Sequence, residues 1–411
     1  MTDLSDLRIP YGAYWSTPFS RWQMSFSDLH SMKFAAVTAA NIAKDKNWPI
    51  EFLDHSVLGI TVPQEKSFWG APWVMTMIGA PFVAGPTVSQ ACATSARALS
   101  AAAAEISGGY ATVSLVVTCD RTSNSPVVVH PNPRGPSGAP TVENWMLDNF
   151  NDEPTGHFAM IDTAENCARD WQISTQEQHE LVALRYQQYR DALKDDAAFL
   201  RRFMTLPFAV PDQRFKKGTG TLTGDEGIHD TTPEGLEKLK SVREGGTVTF
   251  GGQTHPADGN AGMIVTCKDR VSDFTQQPDI EIRILGFGQA RERHAYMPAA
   301  PVKATKRALD STGLSVDKID VFKSHNPFIV NDIVFARETG VDATKMNNYG
   351  CSLVFGHPQG PTGLRLIIEM IEELAMRGGG NGLFHGCAAG DTAMAVVVAV
   401  QDKRKQGGRA L

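Results

Sequence analysis

The first and last thirds of this chain alternate between stretches of helical period and stretches of strand period. That alternation restricts the fold to helices packed in layers on buried sheet. "SDLHSMKFAAVTAANIAKDK" reads as a helix beginning near Ser27 or Asp28, "SVLGITV" as a short strand, and "ATVSLVVTCD" (111–120) as a β-branched strand. Further on, "DIEIRILGFGQ" reads as a strand, "PVKATKRALDSTG" as a helix stopping near Gly313 and "KIDVFKSH" as a strand. "LRLIIEMIEELAMRGGG" then reads as a helix with a glycine stop, and "NGLFHGCA" and "TAMAVVVAV" close the chain as two strands. A length of 411 residues predicts two or three packed domains.

The middle breaks this rhythm. Residues 124–157 are rich in Pro, Gly and Asn and read as extended loop. Ser174 and Glu177 form a capping-box pattern, so a helix should start there. Thr232 before Pro233 predicts another helix start. Residues 121–247 therefore read as an insertion between two α/β units. A faint echo links the halves: Cys92 and Cys387 each sit in a turn of small residues followed by a strand.

A net charge of −6 leaves no chain-wide basic field for nucleic acid or an anionic membrane, and no apolar run suits a transmembrane helix. The N-terminus carries no signal-peptide pattern. Six cysteines are scattered with no C-x-x-C pair, which argues against a zinc or redox-pair motif. Reduced thiols in a cytoplasmic compartment are the expectation.

Four segments can carry chemistry. In "ACATSARALSAAAAEI" a helix opens at or just after Cys92, where a helix N-terminus and a nearby imidazole would lower the pKa of the thiol. The other reading of Cys92 is a buried structural cysteine on an Ala-rich core helix. "GHPQGPTG" fixes His357 in a tight turn, in reach of proton-transfer work or with no role beyond the loop. In "FHGCAAGDTAMA", residues 388–390 after Cys387 can expose backbone N–H groups to a substrate oxygen. "KSHNPF" puts His325 just past a strand end, as a site residue or as a turn residue with a satisfied hydrogen bond.

Taken in order, these segments resemble the thiolase superfamily. "ACATSA" resembles its nucleophile motif, "GHPQGPTG" its G-H-P-x-G-x-[ST]-G motif, and "GCAAGDTAMA" its C-terminal cysteine turn. "MIDTAENCARDWQIS" and "GDEGIHDTTPEGLEKLKSVREGGTVTFGG" resemble segments of its inserted loop domain. The resemblance runs from about residue 85 to the end. It implies an α/β fold of two similar layered α-β-α-β-α halves. Residues 1–120 plus 248–275 would form the first half and 276–411 the second, with 121–247 as a loop domain covering coenzyme A.

The implied chemistry is cleavage of a 3-oxoacyl-CoA, or the reverse Claisen condensation. Cys92 would carry the acyl group, His357 would take its proton, and Cys387 would serve as second acid and base. N–H groups of Cys92 and Ala389 would form one oxyanion hole, and His325 with His357 the other. Met160, His229 and Ala257 would contact coenzyme A, which is a substrate and not a resident cofactor; no metal is expected. The small residues around Cys92 would leave room for the acyl chain and pantetheine.

The chain departs from the commoner pattern at several points. His325 stands where Asn is usual, as in the sterol-carrier-protein-type thiolases with an H-x-x-F motif. Asp391 stands where Gly is usual, with the power to reshape the acyl pocket. His229 and Asp230 replace an arginine near the adenine, while Arg214, Lys216 and Lys217 read as a solvated run. The family implies a homodimer or dimer of dimers, and the sterol-carrier type a small OB-fold and zinc-ribbon partner. An acyl-CoA aldolase, a ketosynthase-like condensing enzyme and a non-catalytic supporting subunit remain as alternatives.

Overall fold

A computed structural model describes residues 4–405. The expected halves therefore begin and end in residues, 1–3 and 406–411, that lie outside the described residues. Seven strands carry the architecture: β1 (His55–Gly59), β2 (Val113–Arg121), β3 (Ala257–Cys267), β4 (Ile280–Arg291), β5 (Val321–His325), β6 (Gly379–Ala388) and β7 (Thr392–Asp402). They join one sheet in the order β5-β6-β7-β4, then the short strand Leu7–Arg8, then β3-β2-β1 and the edge strand Thr87–Val88. Seven longer helices pack on it: α1 (Ser31–Asp45), α2 (Thr94–Ser107), α3 (Met160–Asp170), α4 (Thr175–Ala192), α5 (Ala300–Thr312), α6 (Ile329–Thr339) and α7 (Gln359–Arg377).

The strands alternate between two apolar faces, and the core divides accordingly. Val113, Leu115, Val117 and Cys119 of β2 face an outer layer with α1, while Val116 faces the centre. Ala393, Ala395 and Val397 of β7 face an outer layer with α5; Met394, Val396 and Val398 face the centre. The central layer is α2 against α7. Gly363 of α7 has no room for a side chain: a Cβ there would lie 3.0 Å from Ser95 Cβ and 3.0 Å from Phe384 Cζ.

Helix α7 is buried from Gln359 to Ala375, charges included. Arg365 holds Asp225 through two nitrogens at 2.5 and 2.8 Å and Glu369 at 3.0 Å, and Lys323 reaches Glu369 at 2.9 Å. Removing one partner of such a network leaves an uncompensated buried charge and costs about 3–5 kcal/mol. Asp225 belongs to the segment between β2 and β3, so this network pins that segment to α7.

The halves repeat, with a different equivalence from the one the cysteine turns suggested. Strands β1 and β2 are parallel with Gly59 opposite Thr118; β5 and β6 are parallel with His325 opposite Gly386. In each half a central helix crosses between the parallel pair, and the second strand then pairs antiparallel with a third, β3 or β7. Cys387 thus corresponds to Cys119, one residue beyond Thr118, and not to Cys92.

Other local expectations meet the same test. Helix α4 begins after Ser174, whose Oγ accepts from Glu177 N at 3.1 Å, and Thr232 caps Pro233–Glu237 in the same way. Helix α1 begins at Ser31 and not at 27 or 28. The residues before it form turns because Phe26 and Leu29 pack with Phe34 and Val210 in a small separate cluster. Residues 124–157 are not plain loop, since Val127–His130 pairs with Thr141–Asn144 in a hairpin. The chain leaves the sheet at Arg121 and rejoins it at Ala257.

Candidate active site

Cys92 sits two residues ahead of α2. Thr94 fixes the turn: its Oγ1 accepts from Gln90 N at 2.8 Å and donates to Ala91 O at 2.7 Å. Ala91 is held at φ +42°, a costly conformation for a residue with a Cβ. The small residues that follow serve packing. Ala96, Ala98, Ala102 and Ala103 are buried in the central core, where short side chains let α2 approach α7. Ser95 Oγ donates to Gly360 O across that contact.

His357 enters from the other half. Gly356 takes φ +89°, and a Cβ there would meet His255 Nε2 at 2.7 Å, so only glycine fits. Thr362 Oγ1 donates its proton to Pro358 O at 2.6 Å. The 2.7 Å contact between Thr362 Oγ1 and His357 Nδ1 therefore needs the proton on the ring. Nε2 is left with its lone pair and, among the described residues, without a partner.

His325 lies at the end of β5, its ring stacked on His357 with centroids 4.0 Å apart and planes at 26°. Ser352 Oγ lies 2.8 Å from His325 Nδ1 and 3.2 Å from Asn326 Oδ1, and Asn326 Oδ1 already accepts from Leu353 N. Ser352 Oγ also accepts from Asn326 N at 3.2 Å and donates to Asn326 Oδ1, so these contacts fix the His325 ring from its Nδ1 side. One atom each of Cys92, His325 and His357 lies within 4.8 Å of the others. Two imidazole nitrogens beside one sulfur suit proton exchange and the binding of a substrate oxygen.

Cys387 ends β6 on the face toward α6, where Asn331 Nδ2 donates to its sulfur at 3.2 Å. Cys387 is close enough to Cys92 that a thiolate on one opposes ionisation of the other. The backbone N–H groups of Cys92 and Ala389 lie where they favour the Cys92 thiolate. The Asp391 carboxylate accepts from Ala295 N and Tyr296 N, each at 3.0 Å.

The electrostatics overturn the expectation of a lowered Cys92 pKa. Burial pushes the thiol up to about 12, outweighing the two N–H groups that pull it down. Burial pushes His357 down to about 3 and His325 well below the ordinary range, with His357 and His385 adding to the latter. The resting pair is a neutral thiol beside a neutral imidazole. Such a pair acts by transferring the proton as the sulfur attacks.

The expected coenzyme A contacts fall in three different settings. Met160 is half-buried at the first turn of α3. His229 is exposed on the segment between β2 and β3, against the guanidinium of Arg21. Ala257 is fully buried at the start of β3, its Cβ beneath Gly356, and offers a ligand no open face. Sequence reading missed Ser352, Asn331 and Asp120. Asp120 is buried at the end of β2, where it accepts from Thr61 N at 2.8 Å, Val62 N at 3.0 Å and Gly360 N at 2.5 Å. It thereby holds the His357 turn against the first half. Thr362 was within reach as the [ST] position of its motif; Asn331 and Ser352 carry no local signal.

Residues 13–269 match the family model described as thiolase, N-terminal domain, and residues 279–400 the one described as thiolase, C-terminal domain. The chain belongs to the thiolase family. Acetyl-CoA acetyltransferase IA of Candida tropicalis is 26% identical to this thiolase over 390 residues, 93% of this chain and 94% of that one. Beta-ketoadipyl-CoA thiolase of Pseudomonas knackmussii is 27% identical over 395 residues, 93% and 96% of the two chains. The crystal structure of human mitochondrial 3-ketoacyl-CoA thiolase shares the fold, with a TM-score of 0.87 and 24% identity over 97% of this chain and 100% of that one.

Proposed function

We propose that this thiolase works through an acyl thioester on Cys92, with His357, Cys387 and His325 completing the site. The chain is a coenzyme A-dependent acyltransferase. The observation that carries the residue assignment is the convergence of one sulfur, two imidazole Nε2 atoms and two backbone N–H groups in a buried space.

His357 Nε2 takes the Cys92 proton as the sulfur attacks the thioester carbonyl. The N–H groups of Cys92 and Ala389 hold the resulting oxyanion. The carbonyl–sulfur bond to coenzyme A breaks, and the leaving thiolate recovers the proton. The second half-reaction makes or breaks a carbon–carbon bond. In cleavage the Cys92 sulfur attacks the 3-oxo carbonyl, His357 takes its proton, and the His357 cation with His325 binds the departing enolate oxygen while Cys387 protonates the α-carbon; condensation runs these steps in reverse. The same atoms serve cleavage and condensation.

The segment 121–247 covers coenzyme A in this reading, with Met160 and His229 toward it and Arg21 beside His229 as a cationic contact. The H-N-P-F stretch supports a sterol-carrier type. Exposed apolar surface supports assembly. Phe82 is 99% and Phe68 90% exposed near the edge strand Thr87–Val88, which suits a homodimer. Val127, Val129 and Val142 on one face of the hairpin suit a dimer of dimers or an OB-fold partner. Six cysteines without a disulfide support a reducing, cytoplasmic compartment. Among the described residues no helix is long and apolar enough to cross a membrane.

Incubation with acetyl-CoA followed by peptide mass spectrometry tests the nucleophile. An acetyl group should appear on Cys92 and be lost on adding coenzyme A. Labelling of Cys167 or Cys267 in its place, or full acyl transfer by Cys92→Ser, overturns the assignment.

A further inference from the structure

We propose that Asp391 is a positioning residue that fixes the turn carrying the Ala389 N–H, and so that donor's place beside Cys92, from outside the site. This inference rests on Cys92 being the nucleophile. Ala389, Gly390 and Asp391 form the turn between β6 and β7, which closes where Ala388 pairs with Thr392. Gly390 and Asp391 both lie in the left-handed region, at φ +79° and +56°. Glycine would meet that backbone demand at position 391 without strain. The side chain is 2% exposed and has another use.

The two carboxylate oxygens accept one N–H each from Ala295 and Tyr296. The same turn is tied twice more to the segment after β4: Glu292 N donates to Asp391 O at 2.8 Å, and Arg291 Nε donates to Gly390 O at 3.0 Å. That segment is itself braced by α3. Asn166 Nδ2 donates to Ala295 O at 3.2 Å, and Tyr296 Oη and Arg293 Nη2 donate to Asp170 at 2.7 and 2.6 Å. A buried carboxylate in two backbone bonds resists displacement, because moving it strands two N–H groups. The turn therefore cannot drift, and the oxyanion donor two residues earlier stays on target. Tolerances in such a site are fractions of an ångström.

Asp391→Gly removes both acceptors while keeping the backbone preference. Asp391→Asn keeps the left-handed tolerance and one acceptor. Three quantities are read: kcat and KM for acyl transfer from acetyl-CoA, and the pH profile of iodoacetamide alkylation at Cys92. We expect Asp391→Gly to lower kcat at least ten-fold with KM within two-fold, and to move the alkylation profile to higher pH because the thiolate loses a donor. Asp391→Asn should fall between it and the unmodified chain. Wild-type kcat and profile in Asp391→Gly overturn the proposal, as does a change confined to KM. If Asp391→Gly does not fold, Asp391→Asn decides alone, and wild-type values in it overturn the proposal. Absence of acyl capture at Cys92 in the unmodified chain overturns both this inference and the reading beneath it; capture with an inert Asp391 overturns only this one.

Discussion

Cys92 and His357 stand at the same position in the two halves. Each lies two residues ahead of a central helix, α2 or α7. Each follows a residue forced to positive φ, Ala91 at +42° and Gly356 at +89°. Because α2 and α7 pack in one layer, the two equivalent positions converge. One half supplies a sulfur and the other an imidazole. His325 and Cys387 complete the set from the ends of two adjacent strands in the second half, whose counterparts in the first are Gly59 and Cys119.

The first consequence concerns the two imidazoles. His357→Asn should lower kcat by about 10²–10⁴, the usual worth of a positioned base. His325→Ala removes one oxygen donor and should cost about 10²–10³ in the carbon–carbon step. His325→Asn restores a donor and should recover most of that loss. Steady-state thiolysis of a 3-oxoacyl-CoA measures all three.

Thr362 fixes the tautomer of His357 from behind. Thr362→Val keeps the shape and removes the acceptor for Nδ1–H. A drop of roughly ten-fold in kcat with little change in KM is expected, the kinetic equivalent of one hydrogen bond. A change in KM alone would count against the assigned proton position.

Cys387 should separate the half-reactions. In Cys387→Ala, acetylation of Cys92 by acetyl-CoA should persist, while exchange of the acetyl-CoA α-protons with deuterated water should stop. Mass spectrometry of the enzyme and NMR of the substrate read the two outcomes on one sample.

Stability should depend on pH through the buried histidines. Burial holds His357 at about 3 and His255 and His385 at about 4, below the unfolded value of 6.5. The unfolded chain then binds more protons between these values. Stability is undiminished above about 6.5 and falls as pH drops through that window, by about 1 kcal/mol per pH unit for each such proton. Denaturant melts at pH 7 and pH 5 measure the fall, and His385→Phe should flatten the slope.

The contact between the central helices should tolerate no added methyl. Gly363→Ala puts a Cβ about 3.0 Å from both Ser95 and Phe384. We expect a loss of about 1–3 kcal/mol in a urea melt, with acyl transfer reduced because the turns of Cys92 and His357 ride on these helices.

The residues in sequence already determined the layered α/β class, most strands and helices, and three of the segments that meet around Cys92. Those depend on local period, on caps such as Ser174 and Thr232, and on short motifs around Cys92, His357 and Cys387. Only tertiary structure decided how the groups behave. Burial by distant segments raised the Cys92 thiol where the local helix end argued for lowering it. The partners that orient His325 and Cys387, Ser352 and Asn331, come from elements that nothing in the local pattern marks. The Asp391 carboxylate finds its two donors, Ala295 N and Tyr296 N, on a segment about a hundred residues away. Local pattern follows from each residue's own backbone preferences, whereas solvation and hydrogen-bond partnership are set by whatever the fold brings alongside.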